Sequence, residues 1–288
     1  MIPAPLRYER PATIDEAVAL LARHGEDARP LAGGQSLVPM LRFRLASPAV
    51  LVDLAGIPGL AAVGPADDGV AIGPLATHHQ VGASGLLAGL PLFADAAHDL
   101  GDIQVRNRGT FVGALAHADP AADWAAVALA AGVTLHLTGP GGTRSTSMDG
   151  FSPSPFAPDV RPGELITLAT VPSAGGDRRA SAYVKLADGA SGYALAGVAA
   201  VVTVEDGVVA SARIAATGVA ATPCRLPTAE AALAGRALDA DSVASAAAAA
   251  ADGIEALSDH AASADYRLHL LSVACRRALT SAWGRLDR

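Results

Sequence analysis

Gly101-Asp102-Ile103-Gln104-Val105-Arg106-Asn107-Arg108-Gly109-Thr110-Phe111-Val112-Gly113, running on through Ala114-Leu115-Ala116-His117-Ala118-Asp119-Pro120-Ala121-Ala122-Asp123-Trp124, is the stretch on which the fold turns. It reads as a short strand, a Gly/Thr turn, a loop and then a helix. The helix start is explicit. Asp119 can cap free amides, Pro120 suits the first helical position because its missing N–H is no loss there, and Ala121–Ala131 carries the helix to Gly132. Gly109 and Gly113 flank a segment whose backbone can approach a ligand closely, with the Thr110 hydroxyl as an extra donor.

Upstream, Thr13-Ile14-Asp15-Glu16 is a capping box opening a helix that ends near Gly25, with Ala17, Leu20 and Leu21 as its apolar face. Ala28–Leu31 reads as a short buried strand delivering the chain into Ala32-Gly33-Gly34-Gln35-Ser36-Leu37. Two glycines at a strand end, followed by polar residues, can point several amides at one anion. A short helix over Leu37–Leu45, carrying Arg42 and Arg44, and a strand at Val50–Leu54 close a small α+β unit. There is no G-x-G-x-x-G, and no acid about 20 residues on in a βαβ setting, so this is not a Rossmann fingerprint.

Between the two loops lie a strand at Val70–Ile72 and a helix opened by Thr77-His78-His79. Adjacent histidines face different ways on a helix, so they share no metal and read as solvated or capping. Val133–Leu137 and Thr143–Thr146 form strands around a Gly/Pro turn, Phe151 to Pro162 is a Pro-rich loop, and Glu164–Val171 is a strand. Ser173-Ala174-Gly175-Gly176-Asp177 is the best domain linker. Beyond it come a strand at Ala180–Leu186 and a hairpin of Gly197–Val204 with Val208–Ala216. Helices are expected at Thr228–Ala234, at Asp241–Ala251, and from Ser263 or Ala264 to Arg285 with Leu270, Val273, Ala274 and Ala278 on one face.

The chain of 288 residues, 51% of them hydrophobic, is long enough for two domains. Its 21 basic and 28 acidic residues give −7, which argues against nucleic acid as a partner. Cys224 and Cys275 stand far apart without a C-x-x-C, so no iron–sulfur or zinc site can be built within the chain. The N-terminus lacks a basic region followed by an apolar run, and the apolar stretches are Ala-rich and interrupted. No secretory signal and no membrane span are expected, and a cytoplasmic protein is.

The wording of the loops is more specific than their chemistry. Gln-Val-Arg-Asn-Arg-Gly-Thr-x-x-Gly with His-Ala-Asp-Pro-Ala-Ala-Asp resembles the second flavin loop of the FAD-binding medium subunits of the molybdenum hydroxylases, the carbon monoxide and xanthine dehydrogenase family. Leu31 to Leu41 resembles the first flavin loop of the same family, in the expected order. Tyr183-Val184-Lys185, Tyr193-Ala194-Leu195-Ala196, and Tyr266-Arg267 with Arg276-Arg277-Ala278 extend the likeness over essentially the whole chain.

The resemblance implies an α+β fold. Its FAD-binding domain (PCMH/VAO-like) over 1–175 has subdomains of about 1–55 and 56–175, and a smaller α+β C-terminal domain of the carbon monoxide dehydrogenase flavoprotein type follows over 176–288. FAD is implied to lie between the two N-terminal subdomains. Ala32, Gly33, Gly34, Gln35, Ser36 and Leu37, with Thr110 and Gly113, would hold the pyrophosphate and nearby ribityl atoms. Asp123 would meet the adenosine ribose, Lys185 the flavin ring, Tyr193 one flavin face, and Ile166 the ring as an apolar contact. Read without the resemblance, Lys185 is a solvated edge residue, Tyr193 a half-buried packing tyrosine, and Asp119 and Asp123 a cap and a first-turn acid; His117 is structural. Three departures bear on the second loop. Val112 replaces the first glycine of a pair, Ala114 a polar residue, and Gly192 an aspartate.

Non-covalent FAD is expected, since neither loop carries a His or Cys placed to bond the ring. The implied function is electron transfer within a multi-subunit enzyme. A large subunit holds the molybdopterin, a small subunit holds 2Fe-2S clusters, and this FAD passes electrons to an external acceptor, NAD or a quinone. The implied assembly is a dimer of heterotrimers. The competing readings are a self-contained FAD-dependent oxidoreductase acting on its own small molecule and a Gly-rich scaffold without FAD. The substrate of the complex is not legible in this chain.

Overall fold

A computed structural model describes residues 2–173 and 178–286. It begins with β1 (Arg7–Glu9), α1 (Ile14–His24), β2 (Ala28–Leu31), α2 (Leu37–Phe43) and β3 (Val50–Asp53), whose strands form a parallel sheet in the order β1-β3-β2. Thr13 Oγ1 accepts the Glu16 amide at the head of α1, as its sequence predicts, although the Glu16 carboxylate takes the Ala12 amide and leaves the reciprocal bond of a capping box unmade. Ala17, Val18 and Leu21 of α1 bury against Ala28, Val50 and Val52.

The second unit contains β4 (Val63–Ala66), β5 (Gly69–Ile72), α3 (His78–Gly82), α4 (Leu92–Asp99), α5 (Ile103–Arg106), α6 (Phe111–His117), α7 (Asp123–Ala131), β6 (Thr134–Gly139), β7 (Gly142–Ser147) and β8 (Leu165–Pro172). Its sheet is antiparallel in the order β4-β5-β8-β6-β7. The third comprises β9 (Arg179–Ala187), β10 (Ala194–Glu205), β11 (Val208–Thr217), β12 (Cys224–Arg225), α8 (Pro227–Leu233), α9 (Ala240–Ala249) and α10 (Ala264–Leu286), with an antiparallel sheet ordered β12-β11-β10-β9. The α+β expectation holds. The expected linker, apart from Ser173, lies outside the described residues, as does the boundary drawn at 175/176.

The decisive stretch folds differently from its reading. The short strand is a single helical turn, α5, because Asp102 Oδ1 caps it through the Val105 amide at 2.8 Å. The loop after Gly109 is helix α6, capped by Thr110 Oγ1 on the Gly113 amide at 3.2 Å. Helix α7 begins at Asp123 rather than Ala121, since the Pro120 carbonyl is taken by the Thr217 hydroxyl at 2.7 Å and the Gly218 amide at 2.8 Å. A carbonyl held by the third sheet cannot also close the first helical turn. Asp119 does accept the Ala121 amide at 2.8 Å, but within the turn that precedes the helix.

Every residue of α7 is buried, as an apolar circumference requires. It packs against β10 and β11, while α10 covers the same sheet from the other side. Along β10, Ala199 and Val201 join the core around α7, whereas Val198, Ala200 and Val202 join the core around α10, the two-residue period of a strand buried on both faces. On α10 the buried face is Arg267, Leu271, Ala274, Cys275, Ala278, Leu279 and Ala282. Leu270 and Val273 flank that face instead of centring it, one helical position off the expected stripe.

Candidate functional site

The two glycine loops meet backbone to backbone. A Cβ on Gly33 would overlap the Arg108 carbonyl and come within 2.8 Å of Gly109 Cα, so only glycine permits this approach. Gly34 has φ +74, in the left-handed region where a Cβ is strained. Through these positions β2 and α2 on one side and α6 on the other line a cavity of about 810 Å³. That is within the range of about 300–1,000 Å³ for small-molecule sites.

Ala32, Gly33, Gly34, Gln35, Ser36, Leu37, Thr110, Gly113 and Ile166 all line this cleft. The backbone N–H groups of Gly33, Gly34, Gln35 and Ser36 have no acceptor among the described residues, and Ser36 makes no side-chain cap to α2. Unpaired amides gathered at one turn form the donor set that a phosphate completes. The residues therefore fit a dinucleotide diphosphate. Val112, the departure from a glycine pair, sits in the first turn of α6 and is buried, where a side chain is an asset. Gly192 has φ +74 in the turn between β9 and β10.

Asp123, Lys185 and Tyr193 do not line the cleft. Asp123 is buried at the head of α7, where its carboxylate accepts the Tyr183 hydroxyl at 2.5 Å and Lys185 Nζ at 3.1 Å. Lys185 Nζ also donates to the Asp99 carbonyl at 2.7 Å, at the C-terminal end of α4 where a cation is favoured. The Lys185 side chain is only 6% exposed, so it is no solvated edge residue. Burial raises the Asp123 carboxyl above its ordinary range, and Lys185 and Tyr183 oppose that rise. Burial, reinforced by the Asp123 charge, pushes the Tyr183 phenol well up, keeping it a donor. Tyr193 is 56% exposed, not half-buried packing.

Several cleft residues escaped the sequence reading. His78 is neither solvated nor a cap. It lines the cleft at 4% exposure, and its Nδ1 accepts the Trp124 indole N–H at 2.8 Å. His79 is exposed, as the opposed directions of neighbours on a helix require. His117 lines the cleft with its ring 5.2 Å from that of Phe156, an exposed residue of the Pro-rich loop with φ +58. Glu164, also on the lining, is held below the carboxylate range chiefly by Arg144. Only the Thr77 cap, which fixes His78 in the first turn of α3, left a trace of any of these in the sequence.

Comparison with known proteins agrees with this geometry. A family model described as the FAD binding domain in molybdopterin dehydrogenase matches residues 4–174, and one described as the CO dehydrogenase flavoprotein C-terminal domain matches residues 181–282. The chain is 37% identical to the carbon monoxide dehydrogenase medium chain of Afipia carboxidovorans, over 99% of each chain. It is 35% identical to the nicotine 6-hydroxylase medium subunit of Paenarthrobacter nicotinovorans, covering 97% of this chain and 98% of that one. The solved carbon monoxide dehydrogenase of Hydrogenophaga pseudoflava superposes with a TM-score of 0.94 at 38% identity, covering 99% of both chains.

Proposed function

Since this chain belongs to the family of FAD-binding flavoproteins of the molybdopterin dehydrogenases, we propose that it is the electron-transfer subunit of a multi-subunit molybdenum hydroxylase. In that role it takes electrons from 2Fe-2S clusters on a small partner chain, and substrate is oxidised at the molybdenum cofactor of a large one. The observation that carries the reading is the pair of glycine loops in backbone contact, with four unpaired amides on the cleft they line.

FAD, when bound, supplies a carrier able to accept electrons singly and release them in pairs. The chain's own part is to bind and orient it. Gly33 to Ser36 hold the diphosphate through backbone amides, Thr110 fixes the head of α6, and Ile166 offers an apolar wall. The lining contains no cysteine, and the proposal includes a non-covalent attachment. Acid precipitation therefore releases all flavin into the supernatant; colour held in the pellet contradicts this. Contacts of Asp123, Lys185 and Tyr193 with the ribose and ring belong to the same proposal. For Asp123 and Lys185 such contacts require exchange of the partners they already hold.

The dimer of heterotrimers, an acceptor such as NAD or a quinone, and a cytoplasmic location complete the proposal. No helix among the described residues is long and apolar enough to cross a membrane. The test is the isolated chain. It should bind FAD, pass electrons to artificial dyes once its flavin has been reduced with dithionite, and oxidise no aldehyde, purine or heteroaromatic unaided. Oxidation of such a substrate by the chain alone would replace this reading with the self-contained oxidoreductase.

A further inference from the structure

His78 occupies a place for which the glycine cradle alone gives no account. A tryptophan Nε1 can only donate, so His78 Nδ1 must be the acceptor of the 2.8 Å bond from Trp124. The proton of the neutral imidazole is then on Nε2. That atom has no hydrogen-bond partner among the described residues, although the residue is 4% exposed and lines the cleft. It lies directly under Gly109, where any side chain would collide with it, and Gly109 is the residue against which Gly33 packs. The His78 amide is itself bonded to the Gly109 carbonyl at 2.9 Å, which ties α3 to the second loop.

We propose that His78 is a cofactor-binding residue, donating its Nε2–H to an oxygen of the bound dinucleotide's diphosphate where the two glycine loops meet. Trp124 is the positioning residue that fixes the tautomer. This rests on the FAD reading above. Burial alone holds the ring neutral, so it acts as a fixed dipolar donor and not as a cation. A neutral ring in this place adds a directed bond without a buried charge to compensate when the cleft is empty. Glutamine, whose side-chain amide nitrogen reaches about as far as Nε2, can replace that donor, whereas phenylalanine keeps the shape and removes it.

The test is titration of FAD into the flavin-free full chain, followed by flavin fluorescence, for the wild type, His78→Gln and His78→Phe. His78→Phe should weaken binding about ten- to a hundredfold, the range for a hydrogen bond to a charged acceptor, and His78→Gln should recover most of it. Folded His78→Phe protein with wild-type affinity would overturn the proposal and leave the FAD reading intact. A wild-type chain that binds no FAD would overturn both. Should His78→Phe fail to fold, nitrogen-15 spectra of histidine-labelled wild type decide the matter. The proposal requires the Nε2-protonated form at neutral pH and a shift of that nitrogen on adding FAD or ADP; the Nδ1-protonated form, or no shift, contradicts it.

Discussion

Gly33 and His78 each carry an exacting demand on a single residue at the cleft. Gly33→Ala would drive a methyl group into the Arg108 carbonyl, a backbone atom that cannot swing aside, so the two loops must separate. The expected result is purified protein with little or no visible flavin absorbance and with far-ultraviolet circular dichroism near wild type; full flavin occupancy would contradict the loop assignment. For His78 the prediction concerns pH. Desolvation lowers its pKa from the ordinary 6.5 to about 4 in the folded chain. Between those values the unfolded chain binds the extra proton, so stability is complete above the upper value and falls as pH drops toward the lower. Chemical denaturation at several pH values should show on the order of 3 kcal/mol of this loss in the wild type and its absence in His78→Gln. The glycines were legible in the sequence because their spacing and order are distinctive. His78 was not, because only the tertiary approach of Trp124, on a helix remote in sequence, gives an unremarkable histidine its burial and its tautomer.

At the scale of elements, side-chain caps decided what periodicity could not. Asp102 and Thr110 turned an expected strand and loop into α5 and α6, since each satisfies a first-turn amide that an isolated extended segment would leave to water. Thr110→Val should lower unfolding stability by about 1 kcal/mol while Thr110→Ser retains it, measured by denaturant midpoint. The junction of α4, α7 and β9 is held by a different device. Asp123, Tyr183 and Lys185 satisfy one another in a buried cluster, and Asp95 of α4 pairs with Arg285 of α10 at 2.7 and 2.9 Å. Lys185→Met removes the cation beside the buried Asp123 carboxylate, leaving it only the Tyr183 hydroxyl, and is expected to cost about 3 kcal/mol. A double-mutant cycle with Asp123→Asn should return a coupling above about 1 kcal/mol; additive losses would mean that the two side chains act independently. Nothing in the sequence announced this cluster, because its members are brought together by the packing of β9 across α4 and α7 and not by spacing.

For the whole molecule, caps, turns and alternating strands mark many of the elements, whereas β1, β4, α4 and β12 have no counterpart among those expected from sequence, and the α+β class rests on the family resemblance. The long α10 and the β10–β11 hairpin stand close to their expected limits. What local pattern could not supply was how the units join. Helix α7, contributed by the second unit, is buried on all sides and rests on the sheet of the third, so one hydrophobic core crosses the expected division of the chain. Its Ala-rich sequence marks a helix but not the surfaces that enclose it. Native mass spectrometry of the affinity-tagged chain purified from its own cells tests whether this molecule is one component of a larger electron-transfer enzyme. The expected result is a complex containing one FAD per copy of this chain, together with a large molybdenum-bearing subunit and a small iron–sulfur subunit. Recovery of the chain without those partners, as a free-standing flavoprotein or as a protein without flavin, would contradict it.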